Sequence, residues 1–306
     1  MIDKSFIVRW IPDDGLRRYN QYHVGVVILV MTMSFDLQAQ VEYPSLSPKG
    51  IISQRVGNTN IKIEYERPSA RKRKVFGDLV PWNKVWRTGA GYCTKLSVDR
   101  DVFIEGQPIK AGKYSIFSIP NPDQWVIIVN ADTTLYGSYA YDTSKDVARF
   151  VVNSFSSSRY YETLSFDIDI VPNNAKIYLS WEHTAISFNL VTSTDEIFMR
   201  YVDESLLTEK EEDYNRYSNA AEQLYYLNAR LKDALVLTDI ALKMNHDDGF
   251  ARRVKMELLE KLHQYDEAME VIHEALKMVK DENSRLSWME HQKRISSKID
   301  SVIDQH

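Results

Sequence analysis

Residues 60–66 read NIKIEYE, an alternation of polar and apolar side chains. In an extended backbone Ile61, Ile63 and Tyr65 share one side, and the residues between them share the other. We therefore predict a strand with one buried face and one solvated face, as antiparallel sheets have. Residues 57–58, GN, precede it, and both residue types tolerate the positive φ of a tight hairpin turn.

Eight further segments continue this pattern toward the middle of the chain, separated by turn residues such as Gly, Pro and Asn. The segments are Lys95–Val98, Val102–Glu105, Tyr114–Ile119, Trp125–Asn130, Ala148–Val152, Thr163–Val171, Lys176–Trp181 and Ala185–Leu190. About nine short strands with few helical signals are typical of two packed antiparallel sheets. We predict an antiparallel β-sandwich domain over residues 41–195.

One long segment in this domain lacks any sustained period. Residues 67–91 read RPSARKRKVFGDLVPWNKVWRTGAG, with a basic run at residues 71–74. Long loops in compact domains are often functional, and disordered linkers are the other common explanation. Its arginine, lysine and tryptophan side chains are groups that hold carboxylates, phosphates or sugar rings. The candidate ligand-binding residues are Arg67, Arg73, Trp82, Lys84, Trp86 and Arg87.

Two interpretations of this candidate site stay open. The first is a site for an anionic or glycan ligand. The second is structural: Trp86 packs in the core, and Arg87 pairs with a strand carboxylate, either Glu64 or Glu182. We favour the structural interpretation, because tryptophans in a sandwich pack more often than they contact ligands.

Four runs of residues in this part of the chain resemble the domain of unknown function 2911 family. The runs are Tyr65–Ser69, Val75–Pro81, Val85–Ala90 and Ala111–Phe117. The resemblance covers about residues 43–190. It implies an exported bacterial protein of a kind common in Bacteroidetes, often with a helical tail, and it implies no established activity. The family usually has Asn where this chain has Gly91, so a site that uses this Asn is altered here.

The last third of the chain contains an internal repeat. Residues 234–244, ALVLTDIALKM, align with residues 268–278, AMEVIHEALKM, at an offset of 34. Thirty-four residues is the tetratricopeptide period, and its small alanines let helices approach closely. We predict a linker over residues 196–213 and a short tetratricopeptide-like helical repeat with a capping helix over residues 214–306. Such a stack binds a protein partner or serves only the structure.

The N-terminal residues have the layout of a secretory signal. Basic residues precede an apolar run that starts at Val24, and the run ends near the small residue Ala39. The run is about 12 residues long, whereas a membrane-spanning helix needs about 20. We predict a signal peptide over residues 1–40, export to the periplasm or the exterior, and no permanent membrane anchor.

Composition excludes several classes of protein. The net charge is -5, and neither half has the basic excess of a nucleic-acid-binding protein. Cys93 is the single cysteine, which excludes a disulfide within the chain and any multi-cysteine metal site. Histidine spacing gives no metal motif, and the chain has no Walker lysine and no G-x-S-x-G elbow. We predict no metal, no cofactor and no nucleic acid.

These observations lead to two functional hypotheses. The favoured one is an extracytoplasmic binding or assembly protein of unknown ligand, because no catalytic constellation is readable. The alternative is an extracytoplasmic hydrolase or carbohydrate-active enzyme that uses carboxylates from separate strands. Glu64, Asp78 and Glu182 are then the nearest candidates.

Overall fold

A computed structural model describes residues 43–303 of the chain. The predicted signal peptide, residues 1–40, lies outside the described residues. The chain divides into two compact units, Met1–Leu46 and Ser47–His306. The strands and helices described below all belong to the second unit.

Nine strands form one antiparallel sheet in the order β1-β2-β3-β6-β7-β8-β9-β4-β5. The strands are β1 Lys49–Val56, β2 Thr59–Glu66, β3 Thr94–Val98, β4 Val102–Ile104, β5 Gln107–Ile109, β6 Gly112–Ile119, β7 Gln124–Asn130, β8 Asp146–Val171 and β9 Asn174–Thr192. A short 3-10 helix, Thr143–Lys145, precedes β8.

Strand β8 connects two layers of the sheet. Its first part pairs with β7 up to Asn153, and the rest pairs with β9 from Ser154 onward. The second part of β8 also contacts β2, where the Phe166 N–H donates to the Tyr65 hydroxyl at 3.0 Å. The sheet therefore folds back over itself around one core, and the predicted β domain is confirmed.

All nine predicted segments overlap observed strands, and residues 57–58 form the predicted hairpin turn, with Gly57 at φ 53°. Sequence analysis missed β1 and β5 as separate strands. Both are edge strands, and Ile51 of β1 is 61% exposed although it is apolar. The residues of β1 are exposed or half-buried except Val56, and β5 has three residues, so neither strand has a sustained buried face that a sequence pattern could show.

Six helices follow the sheet within the described residues. They are α1 Thr194–Tyr201, α2 Tyr214–Leu227, α3 Leu231–Met244, α4 Gly249–Lys261, α5 Tyr265–Met278 and α6 Glu282–Ile303, with a π-helical turn, Val202–Leu206, after α1. The predicted linker contains most of α1 and this turn, and Val202 and Leu206 are fully buried in the helical core. Among the described helices, none has the length and apolar content needed to cross a membrane.

The internal repeat corresponds to a repeated helix. Helices α3 and α5 each have 14 residues, and their first residues, Leu231 and Tyr265, are 34 positions apart. The aligned alanines Ala234 and Ala268 are both fully buried, each in a separate hydrophobic cluster. The repeat in the sequence therefore marks two equivalent helix contacts.

Candidate functional site

The six candidate residues of the long segment do not form one cluster. Arg67 joins the two layers of the sheet: its Nε donates to the Leu164 carbonyl at 3.2 Å. Its Nη2 donates to Thr163 Oγ1 at 3.1 Å and to Ser165 Oγ at 2.9 Å. These bonds occupy the guanidinium with β8, so Arg67 serves the structure.

The two tryptophans of the segment belong to an aromatic core. Trp86 is 8% exposed, its indole N–H donates to the Gly89 carbonyl at 3.0 Å, and its ring stacks on Trp181 with centroids 6.1 Å apart. Trp82 is half-buried and stacks on Phe76 at 5.9 Å. Both indoles are therefore engaged in packing, as the structural interpretation expects of Trp86.

Arg73 and Lys84 lie at the surface. Arg73 binds its own loop, donating from Nε to the Ala70 carbonyl at 3.0 Å and from Nη2 to the Ser69 carbonyl at 2.8 Å. Lys84 is exposed.

Arg87 has neither of the carboxylate partners considered for it. Glu64 pairs instead with Lys113 at 3.0 Å, which is the main cause of the lowered pKa of Glu64. Glu182 accepts the Val75 N–H at 3.2 Å. Within residues 43–303, the Nε of Arg87 is buried without a hydrogen-bond partner. Arg87 thus keeps an unused donor near the interior.

A small cavity lies on the outer face of the sheet, across β1, β2 and β3. Its volume is about 200 Å³. Strand register explains its composition, because Glu64 lies opposite Lys95, and Lys95 lies opposite Ser115 on β6. The lining residues are Lys49, Gly50, Ile51, Glu64, Tyr65, Glu66, Tyr92, Cys93, Lys95 and Lys113.

The ammonium group of Lys95 lines this cavity and is held by a hydrogen bond to the sheet. Its ammonium donates to Ser115 Oγ at 2.8 Å, its single hydrogen bond among the described residues. The hydroxyl of Ser115 in turn donates to the Asp132 carbonyl at 2.6 Å. Burial lowers the pKa of Lys95. Because an ammonium has three donors, Lys95 keeps two for another group.

A buried polar network fixes the wall behind Lys95. Asn130 is fully buried, and its amide nitrogen donates to the Asp142 carbonyl at 3.0 Å and to Asp146 Oδ1 at 2.8 Å. Its amide oxygen accepts the Asp132 N–H at 2.8 Å. These bonds hold residues 131–142 against the sheet, so the Ser115 hydroxyl has a fixed position.

Gly91 shapes the rim of the cavity. Its φ is 51°, and a Cβ at this position would clash with the carboxylate of Glu66. An asparagine here would therefore displace Glu66 or the loop. Gly91 thus leaves room for the carboxylate of Glu66 at the rim of this cavity.

Cys93 lines the same cavity, but its surroundings do not favour the reactive thiolate form. It is 2% exposed, and its thiol donates to the Gly137 carbonyl at 3.0 Å. Burial raises the pKa of Cys93 to about 11. The thiolate is the nucleophilic form of cysteine, so Cys93 is unsuited to nucleophilic catalysis at neutral pH.

A second set of polar side chains lies at a large β-bulge in β8. Ser156 pairs with Thr184 and Ser165 pairs with Ser180. Between these two pairs β8 advances nine residues and β9 advances four, so β8 has five extra residues. At this bulge Glu182 of β9 lies opposite Tyr161 of β8, the residue before Glu162. Glu182 has φ 53°, a strained value for a non-glycine residue.

Sequence analysis named Glu182 but missed Glu162. The bulge has no signature in a single sequence, because its excess residues continue the strand-like composition. Within residues 43–303, no group of three or more His, Cys, Asp or Glu side chains is placed to hold a metal ion.

The fold is an antiparallel β domain followed by a helical tail. Residues 47–190 match the family model described as "Protein of unknown function (DUF2911)". The match lies within the β domain and is to the family that its sequence resembles. No curated protein and no solved structure matches the chain.

Proposed function

We propose that this protein is an extracytoplasmic binding protein that holds a small anion, a carboxylate or a phosphate, in the cavity beside Lys95. One observation carries this proposal: Lys95 is half-buried, has a lowered pKa, and uses one of its three donors within the described residues. An anionic ligand would supply acceptors for the ammonium and would raise the pKa of Lys95 again.

Charge and size support a small anionic ligand. Lys49, Lys95 and Lys113 line the cavity against Glu64 and Glu66, and Glu64 is already paired with Lys113 at 3.0 Å. The volume of about 200 Å³ is below the roughly 300–1,000 Å³ of pockets for drug-sized ligands. A single carboxylate or phosphate group suits these dimensions better than a glycan chain.

The extracytoplasmic location rests on the N-terminal pattern alone. Residues 1–40 have a basic start, an apolar run and a small-residue exit at Ala39. We expect the mature chain to begin near Gln40 or Val41. Intact mass of the protein from its native host measures this directly, and full-length chain in the cytoplasm would contradict it.

The ligand proposal is tested by calorimetric titration of the full chain with phosphate, acetate and succinate. We expect Lys95→Met to weaken binding by about ten-fold or more, because hydrogen bonds to a charged group contribute about 1.5–3 kcal/mol. Lys110→Met is the matched control, since Lys110 pairs with Asp101 at 2.7 Å outside the cavity. Equal affinities for the two variants, or no binding by the wild type, would refute the proposal.

A hydrolase is the second candidate, because Glu182 on β9 lies opposite the residue that precedes Glu162 on β8, so carboxylates from two strands belong to one region of the bulge. Glu162 accepts the Tyr160 hydroxyl at 3.3 Å, and Glu182 has the strained φ of 53°. Chromogenic glycosides and esters test this role. Activity that disappears in both Glu162→Gln and Glu182→Gln would favour the hydrolase over the binding protein.

A further inference from the structure

An open groove follows the outer face of β8. It consists of three neighbouring cavities of about 530, 540 and 430 Å³. Val151 and Asn153 line both the first and the second cavity, and Phe155 and Tyr178 line both the second and the third. The three cavities therefore join into one elongated groove, which we call the β8 groove.

Strand alternation explains which side chains line the β8 groove. Ile168 is buried in the core, so its neighbours Asp167 and Asp169 face outward. Register adds the matching residues of β9, because Asp167 lies opposite Tyr178 and Asp169 lies opposite Lys176. Two paired strands thus supply polar and aromatic side chains to the same exposed face.

Phe155 is the apolar centre of the β8 groove. Its side chain is 45% exposed and lies where two of the cavities meet. Within residues 43–303 it contacts no other aromatic ring, whereas Phe150 on the inner face of β8 is 7% exposed and packs on Phe188 with centroids 5.6 Å apart. Because covering an exposed ring releases water from apolar surface, Phe155 favours a ligand with a flat apolar face.

The cations of the β8 groove are oriented by aromatic rings. The guanidinium of Arg159 lies 4.7 Å from the centroid of the Tyr161 ring, and the ammonium of Lys176 lies 5.6 Å from that of Tyr178. In the described part of the chain, neither cation forms an ion pair with a carboxylate. Their N–H groups are therefore available as donors, and the exposed carboxylates of the groove are available as acceptors.

Two kinds of chain-like ligand fit this groove poorly. An added peptide strand needs a free backbone edge, but β8 pairs with β7 up to Asn153 and with β9 from Ser154 onward. A polyanion needs an excess of cations, but four carboxylates of the groove outnumber its two cations. These charged residues are Glu105, Asp123, Asp167, Asp169, Arg159 and Lys176. A neutral chain that carries hydroxyl groups is compatible with both constraints.

We propose that the β8 groove binds a neutral polysaccharide chain that lies along β8. The apolar C–H face of one sugar ring packs on Phe155, because both surfaces then leave water together. Hydroxyl groups of the neighbouring sugars donate to Asp167 and Asp169 and accept from Arg159. The β8 groove shares no lining residue with the cavity beside Lys95, so it is a second site with a different ligand class.

Affinity electrophoresis of the full chain tests this proposal. Native gels are cast with arabinoxylan, galactomannan, mixed-linkage β-glucan or dextran, and control gels are cast with heparin or polygalacturonate. We expect at least one neutral polysaccharide to retard the wild-type chain, and the two polyanions to leave its migration as in an empty gel. Retardation by none of the neutral polysaccharides, or by the polyanions alone, would overturn the proposal.

A matched pair of phenylalanine variants locates the binding. Phe155→Ala should raise the dissociation constant, obtained from retardation at several polysaccharide concentrations, about ten-fold or more. Phe103→Ala is the control, because Phe103 is 43% exposed on β4 and does not line the β8 groove. Each variant removes one exposed ring, so neither should change thermal unfolding. Equal retardation of the two variants would contradict the assignment.

Two further results separate this site from the alternatives. Lys95→Met should leave polysaccharide binding unchanged and Phe155→Ala should leave phosphate binding unchanged, so the two proposed sites fail or succeed separately. A wild-type dimer that Phe155→Ala converts to a monomer, without retardation in any neutral gel, would assign the β8 groove to a second copy of the chain and overturn the proposal.

Discussion

The β domain and the helical tail each contain an interior arginine, and the two differ in what they bind. In the β domain, Arg67 makes three hydrogen bonds to β8 and joins the layers of the sheet. In the tail, Arg252 makes one, to the His246 carbonyl, and its Nε has no partner among the described residues. The first arginine joins the layers of the sheet, whereas the second has a buried donor without a partner among the described residues.

The comparison teaches that residue type alone does not identify a binding site in this chain. Arg67 and Trp86 have the chemistry of a ligand site, yet neighbouring strands and rings engage both. Lys95 sits in ordinary sequence, yet its ammonium retains unused donors beside a cavity. Unused hydrogen-bonding capacity is the property that separates the two groups.

The largest expected effect tests the packing of the tail. Ala268→Arg places a long charged side chain where a fully buried alanine lies between helices, so we expect a loss of roughly several kcal/mol. Glu270→Arg, two residues away at an exposed position, is the control and should change stability by less than about 0.5 kcal/mol. Thermal unfolding that is alike for both variants would mean that the alignment of the repeat is wrong.

The next largest effect compares two arginines of the β domain, one with side-chain hydrogen bonds and one without. Arg67→Met removes three hydrogen bonds and leaves buried acceptors on β8, so it should cost about 2–3 kcal/mol. Arg87→Met removes no side-chain hydrogen bond of the described residues and should cost about 1 kcal/mol or less. Urea denaturation measures both, and an Arg87 variant that is as unstable as the Arg67 variant would contradict the assignment.

The ionisation of Cys93 should make the stability of the protein depend on pH. The expected change is similar to that of Arg67→Met or smaller. Its pKa rises from 9.0 to about 11 on folding, so between these values the unfolded chain loses its proton first. The folded state then binds more protons, and stability falls as the pH rises from 9 to 11, by up to about 2–3 kcal/mol. Cys93→Ala keeps Lys95 in place and should remove this slope. Parallel pH profiles for the two proteins would contradict a buried thiol.

The smallest expected effect concerns Lys95. Burial lowers its pKa, so the charged form is disfavoured in the folded state, and stability rises as the pH increases toward the ordinary value of 10.5. Lys95→Met removes this penalty together with one hydrogen bond, and we expect a net change within about 1 kcal/mol at neutral pH. A loss of more than about 2 kcal/mol in chemical denaturation would indicate a structural role instead.

Much of the fold is readable from the sequence because burial imposes a period. Ile61, Ile63 and Tyr65 alternate with polar residues since one face of β2 is covered, and the segment was predicted within a residue of its observed start. Periodicity does not predict the β8 bulge, where five extra residues shift the register. The sequence therefore predicted two separate strands where the structure has one long strand. The repeat of α3 and α5 was predictable because identical helix contacts need identical small residues.

The candidate sites were less predictable for a physical reason. Glu64, Lys95 and Ser115 meet because three strands pair in one register, and a single sequence does not specify which strands are neighbours. Sequence reasoning named Glu64, which lines the outer cavity, and singled out Gly91, which lies beside Glu66 at its rim.

The central claim is that anions bind where a buried cation retains unused donors, and a crystal of the full chain grown in selenate tests it most directly. Anomalous scattering locates selenium, and selenate resembles phosphate in shape and charge. We predict a selenate within hydrogen-bond distance of Lys95 Nζ in the outer cavity of the sheet and none at Arg67, whose guanidinium is occupied by β8. Selenate at Arg67, or an outer cavity without selenate while surface lysines such as Lys84 bind it, would contradict the account.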